Sequence, residues 1–317
     1  MKQHILKLLS LVIALILLLT LASCKNDAHQ DHSASATSDS PAVTADEAKS
    51  AAQSNSNDTV VDPSAAQASI PPREDMSTVS SDAETQAATS LSVEELLSSG
   101  GSDPGNIYDA TGFVNIKDVI PEIQTEIRYA SDHNFVGEPI NGYEEPIAIM
   151  TKEAAAALIG VNQDLKEQGY TVKIFDAYRP QSAVNHFVAW SNDYNDQKMK
   201  SEFYPELDKS TLFSSGYIAY YSGHSHGSTI DLTLVDLSTG EEVDMGGPFD
   251  YFGTLSHPDY SGISSEQYEN RMTLRNAMIN NGFSPLSTEW WHFSLNNEPY
   301  PNTYFDFPVS SASLSES

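Results

Sequence analysis

The chain has 317 residues and a formal net charge of −28, with a sequence pI near 4.4. This acidity excludes the basic footprint by which proteins bind nucleic acid, so no nucleic-acid partner is expected. The single cysteine, Cys24, excludes an internal disulfide framework.

Residues 1–24 have the composition of an export signal. A short basic start with Lys2 and Lys7 precedes a nearly unbroken apolar run at residues 8–21. That run is shorter than the roughly 20 residues a membrane-spanning helix needs, and is typical of a signal-peptide core. The letters LASC at residues 21–24 resemble the bacterial lipobox, in which the chain is cleaved immediately before a cysteine whose thiol is lipidated; a signal anchor with an incidental Cys24 is the alternative. We expect an exported lipoprotein, anchored to the cell membrane and facing outside the cytoplasm.

Residues 25–105 are dominated by Ser, Ala, Asp, Thr and Gln and contain no aromatic residue. Such a segment buries too little apolar surface to offset chain entropy, so we expect a disordered acidic tether. Within it, residues 92–97 are compatible with one turn of helix. From residue 106 to 309 aromatic residues and apolar periodicity return, which predicts one folded domain. Residues 310–317 are expected to be a disordered tail.

The folded part shows strand and helix patterns in irregular alternation, without a βαβ repeat, which favours an α+β domain. A helix over 151–168 is the clearest element, because Thr151 caps it and Gly169 stops it. The remaining predicted elements, in chain order, are short strands at 113–116 and 123–129, a strand at 171–175, a helix at 181–190, strands at 217–220 and 230–235, a helix at 265–280 and a final ordered run at 289–295.

Two histidines and an aspartate carry the first chemical signal. Strand alternation places Asp231 opposite the apolar side chains of its strand, which is costly unless it meets water, a partner or a metal. His224 lies just before that strand. Together with His292 they would supply three protein ligands and leave the fourth position that a catalytic zinc needs. A polar loop entering an ordinary strand is the alternative.

Two further side chains would complete a hydrolytic site. Glu289 lies three residues before His292, within reach of a water at the metal, and two tryptophans separate them. Two core tryptophans between surface polar residues are the alternative. Arg179 follows the 171–175 strand, where a guanidinium can stabilise an oxyanion. A purely structural pair of Arg179 with Asp176 is the other interpretation.

These residues fall in motifs that resemble a known family. The letters SGHSHGSTID at 222–231 fit its pattern SxHxxGxxxD, EWWH at 289–292 its Glu-x-x-His motif, and DAYRP at 176–180 its arginine motif. The letters EPYPNTYFDFP at 298–308 are similar to its C-terminus. Over residues 110–309 the chain resembles the D-alanyl-D-alanine dipeptidases, zinc metallopeptidases related to D,D-carboxypeptidases.

The resemblance implies an α+β fold of the hedgehog/D-Ala-D-Ala peptidase type, with a central antiparallel sheet flanked by helices. It implies one Zn²⁺ per chain, a general base and proton shuttle, a residue that stabilises the transition state, and three residues that grip the free ammonium of the substrate. The implied metal ligands are His224, Asp231 and His292. Glu289 is the implied general base and proton shuttle, and Arg179 the residue that stabilises the transition state. The implied ammonium-binding residues are Tyr129, Ser222 and Asp250. An anionic Asp250 would fit a dipeptide and exclude longer chains.

The sequence departs from the family at two points. His226 stands where the family often has a basic residue, and its replacing His224 as ligand is the alternative. The export signal is unexpected because the resembled resistance enzymes act in the cytoplasm. We expect zinc-dependent hydrolysis of D-Ala-D-Ala or related D-dipeptides at the envelope, linked to peptidoglycan metabolism, without an obligate protein partner. The alternatives are a D,D-carboxypeptidase that trims stem peptides and a catalytically inactive zinc-containing binding module.

Overall fold

The computed structural model describes residues 92–315. Short 3₁₀ turns at Arg128–Ala130, Lys209–Thr211, Gly223–His226 and Thr254–Ser256 supplement the helices. The helices are α1 (Val93–Ser98), α2 (Ile116–Val119), α3 (Lys152–Lys166), α4 (Gln181–Asn192), α5 (Lys200–Phe203), α6 (Ser265–Asn280) and α7 (Ser311–Ser315). Within this part of the chain, none of the helices has the length and apolar character needed to cross a membrane.

Two sheets organise the fold. The strands are β1 (Phe113–Asn115), β2 (Gln124–Thr125), β3 (Ile149–Thr151), β4 (Tyr170–Asp176), β5 (Thr229–Asp236), β6 (Phe283–Pro285) and β7 (His292–Leu295). β1 and β3 form an antiparallel pair, and the other five strands form a sheet in the order β2-β4-β5-β7-β6. All pairs of the larger sheet are antiparallel except the edge pair of β2 and β4, which is parallel. The α+β fold with a central, largely antiparallel sheet and flanking helices is confirmed.

Strand β5 forms the centre of the sheet. Its first seven residues are buried, although the alternation of the sequence predicts one apolar face and one polar face. β4 and β7 pair with its two edges, and both of its faces are covered. The strand therefore carries Asp231 inside the protein, where a carboxylate needs compensating partners.

Helices α3 and α6 pack against each other and against the sheet. The N-terminus of α3 lies where the sequence predicts it, because the Thr151 hydroxyl accepts a hydrogen bond from the amide of Ala154. α6 begins with a capping box between Ser264 and Gln267. Both helices confirm the predicted elements to within two residues at each end.

The strand predicted at 217–220 is wrong. These residues form an irregular loop that borders a cavity, and Tyr220 is 63% exposed. These residues lack a partner strand: Tyr217 and Ile218 line the cavity, and Tyr220 packs on Phe213. The tail expected to be disordered from residue 310 contains the short helix α7, with Ser310 buried.

The domain begins earlier than the tether boundary at residue 105 predicts. Leu96 of α1 is only 1% exposed and belongs to the hydrophobic core, and α1 packs on α3. A capping box between Ser92 and Glu95 satisfies the first amides of this helix. The predicted signal peptide with Cys24, and residues 25–91 of the predicted tether, lie outside the described residues.

Two buried cations hold the long loops that border the cavity. Arg271 of α6 donates hydrogen bonds to the carbonyl oxygens of Met245, Leu255 and His257, at 2.6, 3.0 and 2.7 Å. It thereby fixes the loop 245–257 without a carboxylate partner, and burial lowers its pKa to about 10. Lys209 donates to two carbonyl oxygens after α4, of Asp193 and Asp196, both at 2.7 Å.

Candidate active site

Three strand ends meet at one point of the large sheet. The register pairs Asp231 of β5 with His292 of β7, and Asp231 also with Asp176 at the end of β4. The pairing with Asp176 follows a register shift between Ile174 and Asp176, an irregularity of the kind that re-aims side chains near functional sites. Directly opposed residues have Cβ atoms about 5 Å apart, so the sheet itself brings these three side chains together.

His224 reaches the same point from the 3₁₀ turn Gly223–His226. The Ser222 hydroxyl caps this turn, and the turn ends at Gly227 with φ +79°. A Cβ on Gly227 would lie 2.0 Å from the ring of Phe113, so only glycine allows the chain to pass here. His224 is 2% exposed, and its Nδ1 lies 2.7 Å from the carbonyl oxygen of Ala177.

The hydrogen bond of His224 decides which ring nitrogen faces the cluster. A carbonyl oxygen only accepts, so Nδ1 carries the proton and Nε2 keeps its lone pair. Nε2 lies 3.4 Å from Asp231 Oδ2 and 3.3 Å from His292 Nδ1. This is the arrangement in which an outer partner orients a histidine ligand toward a metal.

The three predicted metal ligands lie together. One ligand atom from each of His224, Asp231 and His292 falls within 4.8 Å of the others. Asp231 Oδ1 is buried without a hydrogen bond of good geometry, although it lies 3.0 Å from His292 Nδ1. An orphaned carboxylate oxygen and converging imidazole nitrogens fit a divalent cation of the kind that takes N and O ligands.

The charges at this cluster are strongly coupled. Burial by itself raises the pKa of Asp231, but the adjacent His224 and His292 outweigh burial and hold the pKa well below its ordinary value of 3.8. Burial by itself lowers the pKa of His292, yet the adjacent Asp231 carboxylate raises it overall. A bound metal ion would supply a positive counter-charge for the Asp231 carboxylate.

Glu289 lies in the turn that leads into β7. Its Oε2 is 3.6 Å from His292 Nδ1, and its side chain is 23% exposed toward the cavity. Burial raises the pKa of Glu289 above its ordinary value of 4.5. The tryptophans that follow are core residues, Trp290 at 4% and Trp291 at 2% exposure, and their rings meet edge to face. The motif therefore combines packing with an acid–base side chain that reaches the cavity.

Arg179 makes the predicted pair with Asp176 and also reaches the cavity. Its Nε and Nη2 both lie 2.9 Å from Asp176 Oδ2, and Nη2 lies 3.7 Å from Asp231 Oδ2. The guanidinium carbon sits 5.0 Å from the ring centre of Tyr129 and 5.3 Å from that of Phe187. The two interpretations of this arginine are thus compatible, because the pair with Asp176 holds the guanidinium in place at the cavity wall.

Asp176 and Tyr143 support the site and were not predicted as functional residues. Asp176 is fully buried and accepts a hydrogen bond from the Tyr143 hydroxyl at 2.6 Å. Its other oxygen lies 3.4 Å from His224 Nδ1 as well as next to Arg179. The DAYRP motif contained the signal for Asp176, whereas a tyrosine in the turn-rich stretch 140–143 carries none.

The three predicted ammonium-binding residues also lie at the cavity. The Tyr129 hydroxyl donates to Asp250 Oδ2 at 2.8 Å, and both side chains are buried. Among the described residues, Asp250 is the only non-glycine with positive φ, at +62°, a conformation that aspartate tolerates better than most. The Ser222 hydroxyl accepts from the amide of His224 at 3.3 Å and keeps its own proton to donate.

A single cavity of about 220 Å³ joins all of these groups. Every catalytic, metal-binding and substrate-binding residue predicted in the domain lines it: Tyr129, Arg179, Ser222, His224, Asp231, Asp250, Glu289 and His292. Apolar side chains, which the motifs did not indicate, form the rest of the cavity wall: Phe135, Val184, Phe187, Ile218, Phe252 and Leu286. The predicted lipidation site, Cys24, lies outside the described residues.

His226 is not part of the cluster. Its Nδ1 lies 3.1 Å from Glu298 Oε1, and its ring packs on Tyr304 with ring centres 4.7 Å apart. The 3₁₀ turn points it away from the three converging ligands. The alternative in which His226 replaces His224 therefore has no support in the geometry.

We expect Asp250 to make the metal-free protein less stable as the pH rises from acidic to neutral. Burial, and next the negative charge of Asp231, raise the pKa of Asp250 well above its ordinary 3.8. An acid with a raised folded-state pKa binds more protons folded than unfolded, so stability falls as pH rises from about 4 toward that pKa. Asp250→Asn removes this penalty and retains an acceptor for Tyr129.

Thermal unfolding of the metal-free protein between pH 4 and pH 8 measures this. The Asn variant should have a higher Tm than the parent at pH 7, by several degrees, and the difference should vanish near pH 4. Asp244→Asn is the matched control, because Asp244 has a lowered pKa and should lose stability on substitution. A pH-independent effect of Asp250→Asn would contradict the expectation.

Comparisons with known proteins show to which family this domain belongs. A peptidase M15 family model, described as D-Ala-D-Ala dipeptidase, matches residues 109–310, which is more than half of the chain. The chain is 42% identical over 198 residues to the D-alanyl-D-alanine dipeptidase of Enterococcus faecium, covering 62% of this chain and 98% of the relative. It is 38% identical over 198 residues to that of Streptomyces coelicolor, with the same coverage, and 32% identical over 187 residues to that of Escherichia coli, covering 59% of this chain and 86% of the relative.

The family match spans the part of the chain that builds the cavity, from Tyr129 to His292. The family resemblance that the sequence motifs indicate is confirmed over residues 109–310. The chain belongs to the M15 metallopeptidases, the family of the D-Ala-D-Ala dipeptidases.

Proposed function

We propose that this protein is a zinc-dependent D,D-dipeptidase that hydrolyses D-Ala-D-Ala or closely related D-dipeptides. One observation carries the proposal: a triad of metal-ligand type and a buried carboxylate suited to an ammonium lie in one small cavity, with Glu289 and Arg179 beside them. The names of the related enzymes support the substrate.

Zinc suits the donor set of His224, Asp231 and His292. Two imidazoles and one carboxylate are the ligands of several catalytic zinc sites, which keep a further position open. When bound, zinc supplies Lewis-acid polarisation of the scissile carbonyl and makes a water more acidic. Nδ1 of His224 is held by the Ala177 carbonyl, so the chain presents Nε2 to the metal in a fixed orientation.

Glu289 performs the proton transfers. It lies beside the triad with its carboxylate at the cavity, in position to take a proton from the attacking water and to deliver it to the nitrogen of the leaving amine. Burial raises its pKa, which makes the protonated form easier to reach in the second step. The same carboxyl group thus acts first as base and then as acid.

Arg179 stabilises the charge that develops on the carbonyl oxygen. Asp176 holds it from one side, and the rings of Tyr129 and Phe187 confine it, so the guanidinium needs little reorganisation during the reaction. Its charge is fixed at all relevant pH values.

Asp250 selects a free amino terminus. A substrate ammonium would supply the cation that this buried carboxylate lacks, with the Tyr129 and Ser222 hydroxyls as additional partners. An acylated amino end offers no such charge and adds volume to a cavity of about 220 Å³. Discrimination of this kind favours a dipeptidase over a D,D-carboxypeptidase.

The test compares free D-Ala-D-Ala with an N-acylated peptide that ends in D-Ala-D-Ala, using the full chain. We expect the free dipeptide to be cleaved with at least about a hundredfold higher kcat/KM. Activity should be lost with a chelator and return with Zn²⁺, and metal analysis should find one zinc per chain. Cleavage of the blocked peptide alone would identify a carboxypeptidase, and bound zinc without turnover of either peptide would identify a binding module.

We further propose that the enzyme is exported and lipid-anchored through Cys24, and acts on D-dipeptides released during peptidoglycan turnover. The support is the basic start, the apolar run at residues 8–21 and the LASC letters at 21–24. A labelled fatty acid should be incorporated into the parent protein and not into Cys24→Ser. Absence of label on a membrane-bound parent would argue for a signal anchor.

A further inference from the structure

The chain contains packed structure upstream of the region shared with the family. The family match begins at residue 109, whereas residues 99–107 already lie against the domain; we call these residues the N-terminal strap. α1 anchors the strap through the buried Leu96. Lys152 holds its start, because its ammonium donates to the carbonyl oxygens of Ser99 at 3.2 Å and Gly100 at 2.9 Å.

The strap runs along the C-terminal segment 300–306. The amide of Ser102 donates to the hydroxyl of Tyr300 at 2.7 Å in a buried hydrogen bond. A second contact follows six residues later in the C-terminal segment, where the amide of Asp306 donates to the carbonyl oxygen of Ile107 at 2.8 Å. The two segments are thus joined at both ends.

The hydroxyl of Tyr300 lies so close to the backbone of two glycines, Gly101 and Gly112, that a side chain at either position would meet it. A Cβ built on Gly101 would lie 2.8 Å from this oxygen, and one on Gly112 would lie 2.3 Å from it. Neither glycine has positive φ, so their backbone conformations do not require glycine. Both positions require glycine because the backbone passes close to the Tyr300 hydroxyl. Tyr300 itself is 8% exposed.

The opposite edge of segment 300–306 holds the two loops of the active site. The amide of Phe305 donates to the carbonyl of Ser225, the residue after the ligand His224, at 3.0 Å. The amide of Gln181, two residues after Arg179, donates to the carbonyl of Phe305 at 3.0 Å. One peptide segment therefore bonds to the metal-ligand turn and to the arginine turn on one side and to the strap on the other.

We propose that the N-terminal strap is a positioning element of the active site, acting through Tyr300 and segment 300–306 on His224 and Arg179. This inference rests on the proposed function, since the metal is what His224 is positioned for. Ligand positions must be kept within a few tenths of an ångström for tight metal binding, and outer partners that hold them change metal affinity about 10- to 100-fold. The strap adds such a partner from outside the shared family region.

The test uses the full chain with Gly101→Ala, which places a methyl group against the Tyr300 hydroxyl. We expect zinc affinity, measured by competition with a chelating indicator, to fall at least about tenfold. Tyr300→Phe removes the acceptor of the buried hydrogen bond from Ser102, so it should lower zinc affinity in the same direction. The two losses should be less than additive in the double variant, because both substitutions break the same contact. Leu274→Ala, a fully buried core position in α6, is the control for a general loss of stability.

Leu274→Ala should lower Tm by at least as much as Gly101→Ala while zinc affinity stays within about twofold of the parent. Zinc affinity unchanged in Gly101→Ala would overturn the inference and leave the strap a purely structural addition. Hydrogen exchange of the backbone amides at 223–227 and at 179, 181 and 182 provides a readout that needs no metal. It should accelerate in Gly101→Ala and not in Leu274→Ala. A parent chain that binds no zinc would refute the proposed function, and the exchange rates would still decide the role of the strap.

Discussion

Glu289→Gln is expected to lower kcat for D-Ala-D-Ala about a thousandfold, within the range of 10²–10⁴ typical of a lost general acid–base group. The amide cannot take a proton from water or return one to the leaving nitrogen. It keeps the shape of the side chain beside His292, 3.6 Å away in the parent, so zinc content should be unchanged. Steady-state kinetics and metal analysis on the same samples measure the two quantities.

Glu298→Gln is the matched control for this substitution. Glu298 is also a glutamate beside a histidine, with its Oε1 3.1 Å from His226 Nδ1, but it does not line the cavity. Its kcat should stay within a few fold of the parent. If Glu289→Gln kept more than about a tenth of the parental kcat, another group would have to be the base.

Arg179→Met is expected to reduce kcat about 10²- to 10³-fold with a smaller change in KM, as found for the loss of an oxyanion donor. The guanidinium meets the charge that exists in the transition state and is weak in the ground state. A phosphinate analogue of the tetrahedral intermediate should lose affinity by about the same factor as kcat/KM. A purely structural role of Arg179 would not make the loss of analogue affinity equal to the loss of kcat/KM.

Arg179→Lys separates charge from geometry. Lysine keeps the positive charge but cannot hold Asp176 with two donors, at 2.9 Å each in the parent, while facing the cavity. We expect it to recover no more than about a tenth of the activity lost in Arg179→Met. Full activity of the lysine variant would mean that a point charge suffices and that the pair with Asp176 is only structural.

Local sequence signals predicted the elements that depend on neighbouring residues. Thr151 and Gly169 bracket α3, and alternation marks β5, because caps and strand period act over a few residues. The failure at 217–220 has the same origin. A strand needs a partner, and the sequence of Tyr217 and its neighbours does not say whether another strand lies beside it.

The site residues followed from two sources. Their types indicated a metal, a base and an oxyanion donor, while the family resemblance assigned Tyr129, Ser222 and Asp250 to the substrate. Residue types alone left His226 open as an alternative to His224. The 3₁₀ turn decides between them, because it directs the His224 imidazole to Asp231 and the His226 imidazole to Glu298.

The sequence by itself determined the chemistry that the domain can offer and the local elements on which its side chains sit. Only the tertiary structure decided that Asp176, Asp231 and His292 stand side by side, because strand register depends on pairing between segments distant in the chain. It also decided that α1 and the strap belong to the domain. A single buried leucine and the glycines around the Tyr300 hydroxyl have meaning only once residues 300–306 lie against them.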